Sequence, residues 1–125
     1  LLNAYGLKTL AKGEENYVEI YEGDGYKRDT SYHQGITWPW LLGLYYNSLK
    51  NMIKNSKNKK QKVELEEKLE KFRAQIYKTF KNELNDNGCI GSIAELYDSV
   101  KPNLPKGAIA QGWSVAEVFR IILGK

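Results

Sequence analysis

The sequence predicts an all-α fold, and three observations carry that expectation. Apolar residues recur at three- and four-residue spacing in three separate stretches, beginning near Thr37, Gln61 and Gly112. Alternation of the kind a strand needs is confined to a short piece, Tyr17 to Tyr21. The three prolines stand between those stretches or in a first turn, never in a helix interior. At 125 residues the chain is one domain or less, and an apolar share of 42% argues against disorder.

Residues 1–36 hold five glycines, many tyrosines and no sustained helical period, and read as a long ordered loop. Extended pieces are expected only around Tyr17–Tyr21. The first helix is expected from Thr37, as N-cap, with Pro39 in the first turn where its missing N–H costs nothing. Trp38, Leu42, Tyr45, Leu49 and Met52 or Ile53 form its apolar stripe to about Lys54. Asn55–Lys60 is a polar break.

A second helix is expected over about Gln61–Leu84, burying Leu65, Leu69, Phe72, Ile76, Phe80 and Leu84. Glu64–Lys68 and Glu67–Lys71 support its solvent side at i,i+4, and Asp86-Asn87-Gly88 ends it. Cys89–Gly107, with two prolines, reads as a loop. A third helix covers roughly Gly112–Leu123 and buries Val115, Val118, Phe119 and Ile122.

Composition excludes several functions. The longest apolar run is a few residues, far short of the about 20 that span a bilayer, so no membrane partner is expected. A single cysteine, Cys89, makes no intrachain disulfide and favours a reducing compartment. With a single histidine in the chain, no His/Cys metal site can form, and metal catalysis is not expected. The net charge of +4 is concentrated in Lys54, Lys57, Lys59, Lys60 and Lys62. No aromatic residue interleaves those lysines, so they read as a solvated interhelical link and not as a nucleic-acid reader. The opening Leu1-Leu2-Asn3 carries no initiator methionine and reads as part of a longer protein.

Short links make successive helices antiparallel, so the first and third helices begin at the same end of the layer. Those two starts hold Tyr32-His33-Gln34-Gly35 with Trp38-Pro39-Trp40, and Gln111-Gly112-Trp113-Ser114. The segment Gly91-Ser92-Ile93-Ala94-Glu95 can reach the same end. Indole faces suit the C–H faces of a pyranose, and His33, Gln34 and Gln111 offer donors and acceptors to hydroxyls. Glu95 is a carboxylate able to take a proton from water, as one partner of the acid–base pair of an inverting glycosidase. The same residue types also fit other roles: tryptophans as core, His33 as a structural side chain, Glu95 as a surface carboxylate. Asp98, Asp29 and Asp24 are alternative carboxylates by spacing.

Four stretches, in order, resemble a known family. Tyr32-His33-Gln34-Gly35-Ile36-Thr37-Trp38-Pro39-Trp40-Leu41-Leu42-Gly43 resembles the YHQGTVWPWLLG motif of bacterial and archaeal glycogen debranching enzymes, the amylo-α-1,6-glucosidases. Gly6-Leu7-Lys8-Thr9-Leu10 is similar to their GLRTL segment, with lysine for arginine. Gly91–Asp98 is similar to GSISEIFD, and Gly107–Val118 to GCxAQAWSVAEVLR.

The resemblance implies that residues 1–125 are the C-terminal portion of an (α/α)6 toroid, about three long helices with long aromatic-rich loops. It implies Glu95 as general base, and His33, Gln34, Trp38, Trp40, Gln111 and Trp113 as lining of the glucose pocket. The general acid lies upstream in the family, so the isolated chain is expected to be inactive. The implied substrate is an α-glucan, glycogen or limit dextrin, in the cytoplasm, with no cofactor. Unpartnered inner-helix faces, such as Leu42, Tyr45 and Val118, would make the isolated chain oligomeric or domain-swapped. The alternatives are another toroid glycosidase, glucoamylase-like or trehalase-like, or a non-enzymatic helical interaction module.

Overall fold

The computed structural model describes residues 1–125 as four helices and four very short strands: β1 (Leu7–Lys8), α1 (Gly25–Ser31), β2 (Thr37–Trp38), α2 (Leu41–Asn55), α3 (Lys59–Asp86), β3 (Leu96–Tyr97), β4 (Pro105–Lys106) and α4 (Gly112–Ile122). The chain is predominantly helical, as the sequence predicts. What the periodicity does not predict is the antiparallel sheet, of order β1-β2-β3-β4, that joins the loops. Strands of two residues are too short to show an alternation, so no sequence window reveals them.

Helices α2, α3 and α4 pack on one another around Leu42, Tyr46, Leu49, Phe72, Ile76, Phe80, Val118 and Ile121, all buried. Ile93, Ala94 and Tyr97 close the sheet end of this core. Burying each such side chain is worth about 1.5–3 kcal/mol. Arg120 on α4 donates to the Gly43 carbonyl at 3.3 Å and to Asn47 Oδ1 at 3.0 Å, one turn apart on α2. Gly43 has no room for a side chain, because a Cβ there would strike the Glu117 carboxylate. Arg73 on α3 donates to the Ile121 and Ile122 carbonyls at 3.1 and 3.0 Å, tying the end of α4 to α3.

Three element boundaries differ from expectation, each for a local reason. Thr37 does not cap α2. It lies in β2, fully buried, where its hydroxyl meets Ser99 Oγ at 2.7 Å and accepts from Asn3 Nδ2 at 2.8 Å. The helix starts four residues later, with Trp40 as a cap that makes no side-chain bond. α3 starts at Lys59 because Asn58 Oδ1 accepts from the Lys60 and Gln61 N–H groups at 2.9 and 3.2 Å. Residues 1–36 are not all loop: Asp24 accepts from Lys27 N at 2.9 Å and starts the seven-residue α1.

The second-helix stripe is buried or half-buried as predicted, from Leu65 to Leu84. The third helix is rotated slightly: Ile121 is buried, whereas Phe119 is 41% exposed. Glu67 and Lys71 pair at 3.9 Å, and Lys68 lies instead over the Tyr45 ring at 5.9 Å. No helix is long and apolar enough to cross a membrane.

Candidate active site

The sheet is what assembles the site. β2 continues the segment that begins at Tyr32, β3 follows Gly91–Glu95 directly, and β4 leads through Gly107 into the first turn of α4. Pairing β2 with β3 at Thr37↔Tyr97, and β3 with β4 at Leu96↔Lys106, lays three motif-bearing loops side by side. Ladder bonds extend beyond the strands: Glu95 N donates to Ala108 O at 2.8 Å, and Gln111 N to Ile93 O at 2.8 Å.

Glu95 is half-buried, and both carboxylate oxygens are engaged. The Tyr32 hydroxyl donates to Oε1, and Ala108 N donates to Oε2 at 3.0 Å. Gly107 lies so close beneath the carboxylate that a Cβ there would overlap Oε2. With φ of +69°, Gly107 also holds a backbone conformation that favours glycine. Burial first, then the hydrogen bond to Glu95 and its negative charge, raise the Tyr32 phenol above its ordinary pKa. Tyr32 therefore keeps its proton, and its role as a neutral donor to Glu95, to higher pH than an ordinary tyrosine.

Tyr32 connects the carboxylate to an aromatic cluster. Its ring meets His33 at 4.8 Å and Trp38 edge-on at 4.6 Å. Trp38 is only 2% exposed, so it does not present an open face; it backs the exposed His33 ring, stacked at 5.3 Å. Trp38 Nε1 donates to the Tyr32 carbonyl at 3.1 Å. Trp40 and Trp113 stack on each other at 5.5 Å, with Trp113 48% exposed and Trp40 half-buried. Five of the seven residues singled out from the sequence, Glu95, His33, Trp38, Trp40 and Trp113, are thus joined by a chain of contacts through Tyr32.

The two glutamines stand differently. Gln111 is the N-cap residue of α4, where its main chain ties that helix to Ile93 and its side chain makes no capping bond. Gln34 lines a separate cavity of about 340 Å³ with Asn16, Tyr17, Val18 and Thr30. A larger groove, about 560 Å³, lies between Tyr21, Arg28, Lys106, Gly107 and Ile109.

Of the alternative carboxylates, Asp98 is 4% exposed and fastens the Tyr21 main chain at 2.8 Å, with Lys106 at 3.8 Å. Asp24 caps α1, and Asp29 lies exposed on it. Tyr32 has a place in the site that spacing does not reveal. It heads the same motif as His33, yet nothing in local spacing tells that its hydroxyl reaches a carboxylate 63 positions away. No group of three or more His, Cys, Asp or Glu side chains stands where it could hold a metal ion.

The chain matches no curated protein and no solved structure. It does match a family model, described as amylo-alpha-1,6-glucosidase, over residues 1–120. With nearly the whole chain matched, and with a held carboxylate beside tryptophans, histidine and tyrosine, the protein belongs to the amylo-alpha-1,6-glucosidase family of glycogen-debranching glycosidases.

Proposed function

We propose that this chain supplies the general base and part of the glucose pocket of an inverting glycosidase that hydrolyses α-1,6-glucosidic branch linkages of glycogen or limit dextrin. The observation that carries the reading is the Glu95 carboxylate, held by two donors from different loops and linked through Tyr32 to the aromatic cluster. Each oxygen spends one acceptor site on the protein and keeps another, so a water can still donate to it. In the proposed reaction Glu95 takes a proton from that water as its oxygen attacks the anomeric carbon. A carboxylic acid on the opposite face gives its proton to the departing glycosidic oxygen. The exposed faces of Trp113, Trp40 and His33 would bear the sugar ring, with Trp38 as backing and Gln111 at the pocket edge. Gln34 would contact a neighbouring glucose unit from its own cavity.

The pair of an inverting enzyme stands roughly 6.5–9.5 Å apart. Asp98, which flanks the Glu95 loop, is committed to the Tyr21 main chain and to Lys106. As the family resemblance implies, the acid is proposed to come from outside residues 1–125, which would form the C-terminal part of an (α/α)6 toroid in the cytoplasm, of the bacterial and archaeal type. The isolated chain would be inactive and would self-associate.

The test is glucose release from an α-1,6-branched limit dextrin by the full-length protein and its Glu95→Gln variant. Loss of about three or more decades in turnover, with dextrin binding kept, is the expected result. A variant within a few-fold of wild type places the base elsewhere. Release from α-1,4 ends or trehalose in preference to the branch would move the assignment to a glucoamylase-like or trehalase-like enzyme. Absence of any glycosidase activity would leave a helical interaction module.

A further inference from the structure

We propose that Tyr32 is the positioning residue of the base: its hydroxyl, with the Ala108 N–H, fixes the plane of the Glu95 carboxylate and keeps it ready to accept a proton from water. The inference rests on the reading of Glu95 as the base and adds a residue to it. A carboxylate rotates freely about its last torsion unless both oxygens are held. Here the two donors come from chain segments that the sheet brings together, a side-chain phenol on Oε1 and a main-chain amide on Oε2. Two donors in different directions leave the carboxylate one orientation.

Tyr32 is itself immobilised at both ends. Its carbonyl accepts from Trp38 Nε1, and its ring is enclosed by Tyr21 at 5.8 Å, His33 at 4.8 Å and Trp38 at 4.6 Å. A ring locked in this way delivers its hydroxyl to one place. It adds no reorganisation when the reaction begins. The other titratable groups nearby are Tyr21 and His33 against the Tyr32 ring, and Lys106, one residue before Gly107, whose ammonium is 3.8 Å from Asp98. None of these replaces the phenol as a donor to Oε1.

The test is Tyr32→Phe in the full-length protein, measured against Glu95→Gln. Phenylalanine keeps the ring contacts and removes only the hydroxyl. Loss of one donor to the carboxylate should move the acid limb of kcat/KM to higher pH. A carboxylate free to rotate should lower kcat on the order of 10- to 100-fold, with KM within about threefold. A purely structural role for Tyr32 would not move the acid limb. An unmoved limb in Tyr32→Phe, with Glu95→Gln inactive, overturns the positioning role and leaves the base intact. Turnover retained by Glu95→Gln overturns the base reading itself, and the positioning role with it.

Should Tyr32→Phe fail to fold, the ultraviolet titration of the tyrosines in Glu95→Gln decides. One phenol ionising at lower pH than in wild type supports the contact, and an unchanged titration overturns it.

Discussion

At the scale of single residues, the site depends on one close approach. Gly107 packs under the Glu95 carboxylate with a positive φ, and a methyl group there would displace Oε2 from the Ala108 N–H. The left-handed conformation adds about 1–2 kcal/mol of strain for any residue with a Cβ. Gly107→Ala should therefore lower the unfolding temperature by a few degrees and kcat by at least about tenfold. Thermal melting and steady-state kinetics on the same preparation check both. Full activity in the folded variant would show that Glu95 is not held as described. The close approach is invisible to spacing, because Gly107 and Glu95 are brought together by the β3–β4 pairing.

At the scale of elements, the sheet is fastened to the helices by a buried carboxylate. Glu83 on α3 is 2% exposed; it accepts from the Tyr97 hydroxyl of β3 at 2.7 Å and from Asn87 Nδ2 at 2.9 Å. Burial, followed by the hydrogen bond to Glu83 and its charge, raises the Tyr97 phenol above its ordinary pKa. Tyr5, against Tyr97 at 4.7 Å, is raised by burial and by Glu83. In the folded state these phenols hold their protons beyond pH 10, where unfolded tyrosines lose theirs. The unfolded state then binds fewer protons, so stability is unaffected below about pH 10 and falls as pH rises above it. Each raised tyrosine contributes a slope of about 1.4 kcal/mol per pH unit.

Tyr97→Phe should lose about 1–3 kcal/mol at neutral pH, because it leaves Glu83 buried with one donor fewer. It should also make the alkaline loss shallower by one such increment. Denaturant unfolding at pH 8 and between pH 10 and 12 measures both effects. An unchanged alkaline slope would mean that the Tyr97–Glu83 contact is absent.

At the scale of the whole molecule, three long helices and a small sheet leave large apolar side chains at the surface. Leu44, Met52, Val63, Tyr77 and Leu123 are each more than half exposed. Leu2, Tyr45, Phe72 and Ile76 line an open groove of about 560 Å³. Leu42 and Val118, expected to lie unpartnered, are instead fully buried within the chain, so any association would rest on these other exposed side chains. Light scattering of the isolated chain at tens of micromolar should give a mass above the 14.4 kDa of one copy. A clean monomer would remove the expectation of self-association and weaken the toroid proposal that motivates it.

The long helices were legible in the sequence because they follow from local patterns, whereas the sheet that lays the motif-bearing loops side by side was not. A 28-residue helix with Leu65, Phe72, Ile76 and Phe80 on one face states its buried side through a repeat of 3.6 residues. The short loop between α2 and α3 states their antiparallel packing. Only the tertiary structure decided that Thr37 belongs to a strand, that Trp38 lies beneath His33, that Gln34 faces another cavity, and that Tyr32 and Ala108 hold Glu95. Two-residue strands and a tyrosine–carboxylate bond across 63 positions leave no periodic trace. They form when distant loops are docked by the helical core, and the free energy that docks them resides in the whole packed chain rather than in any one segment.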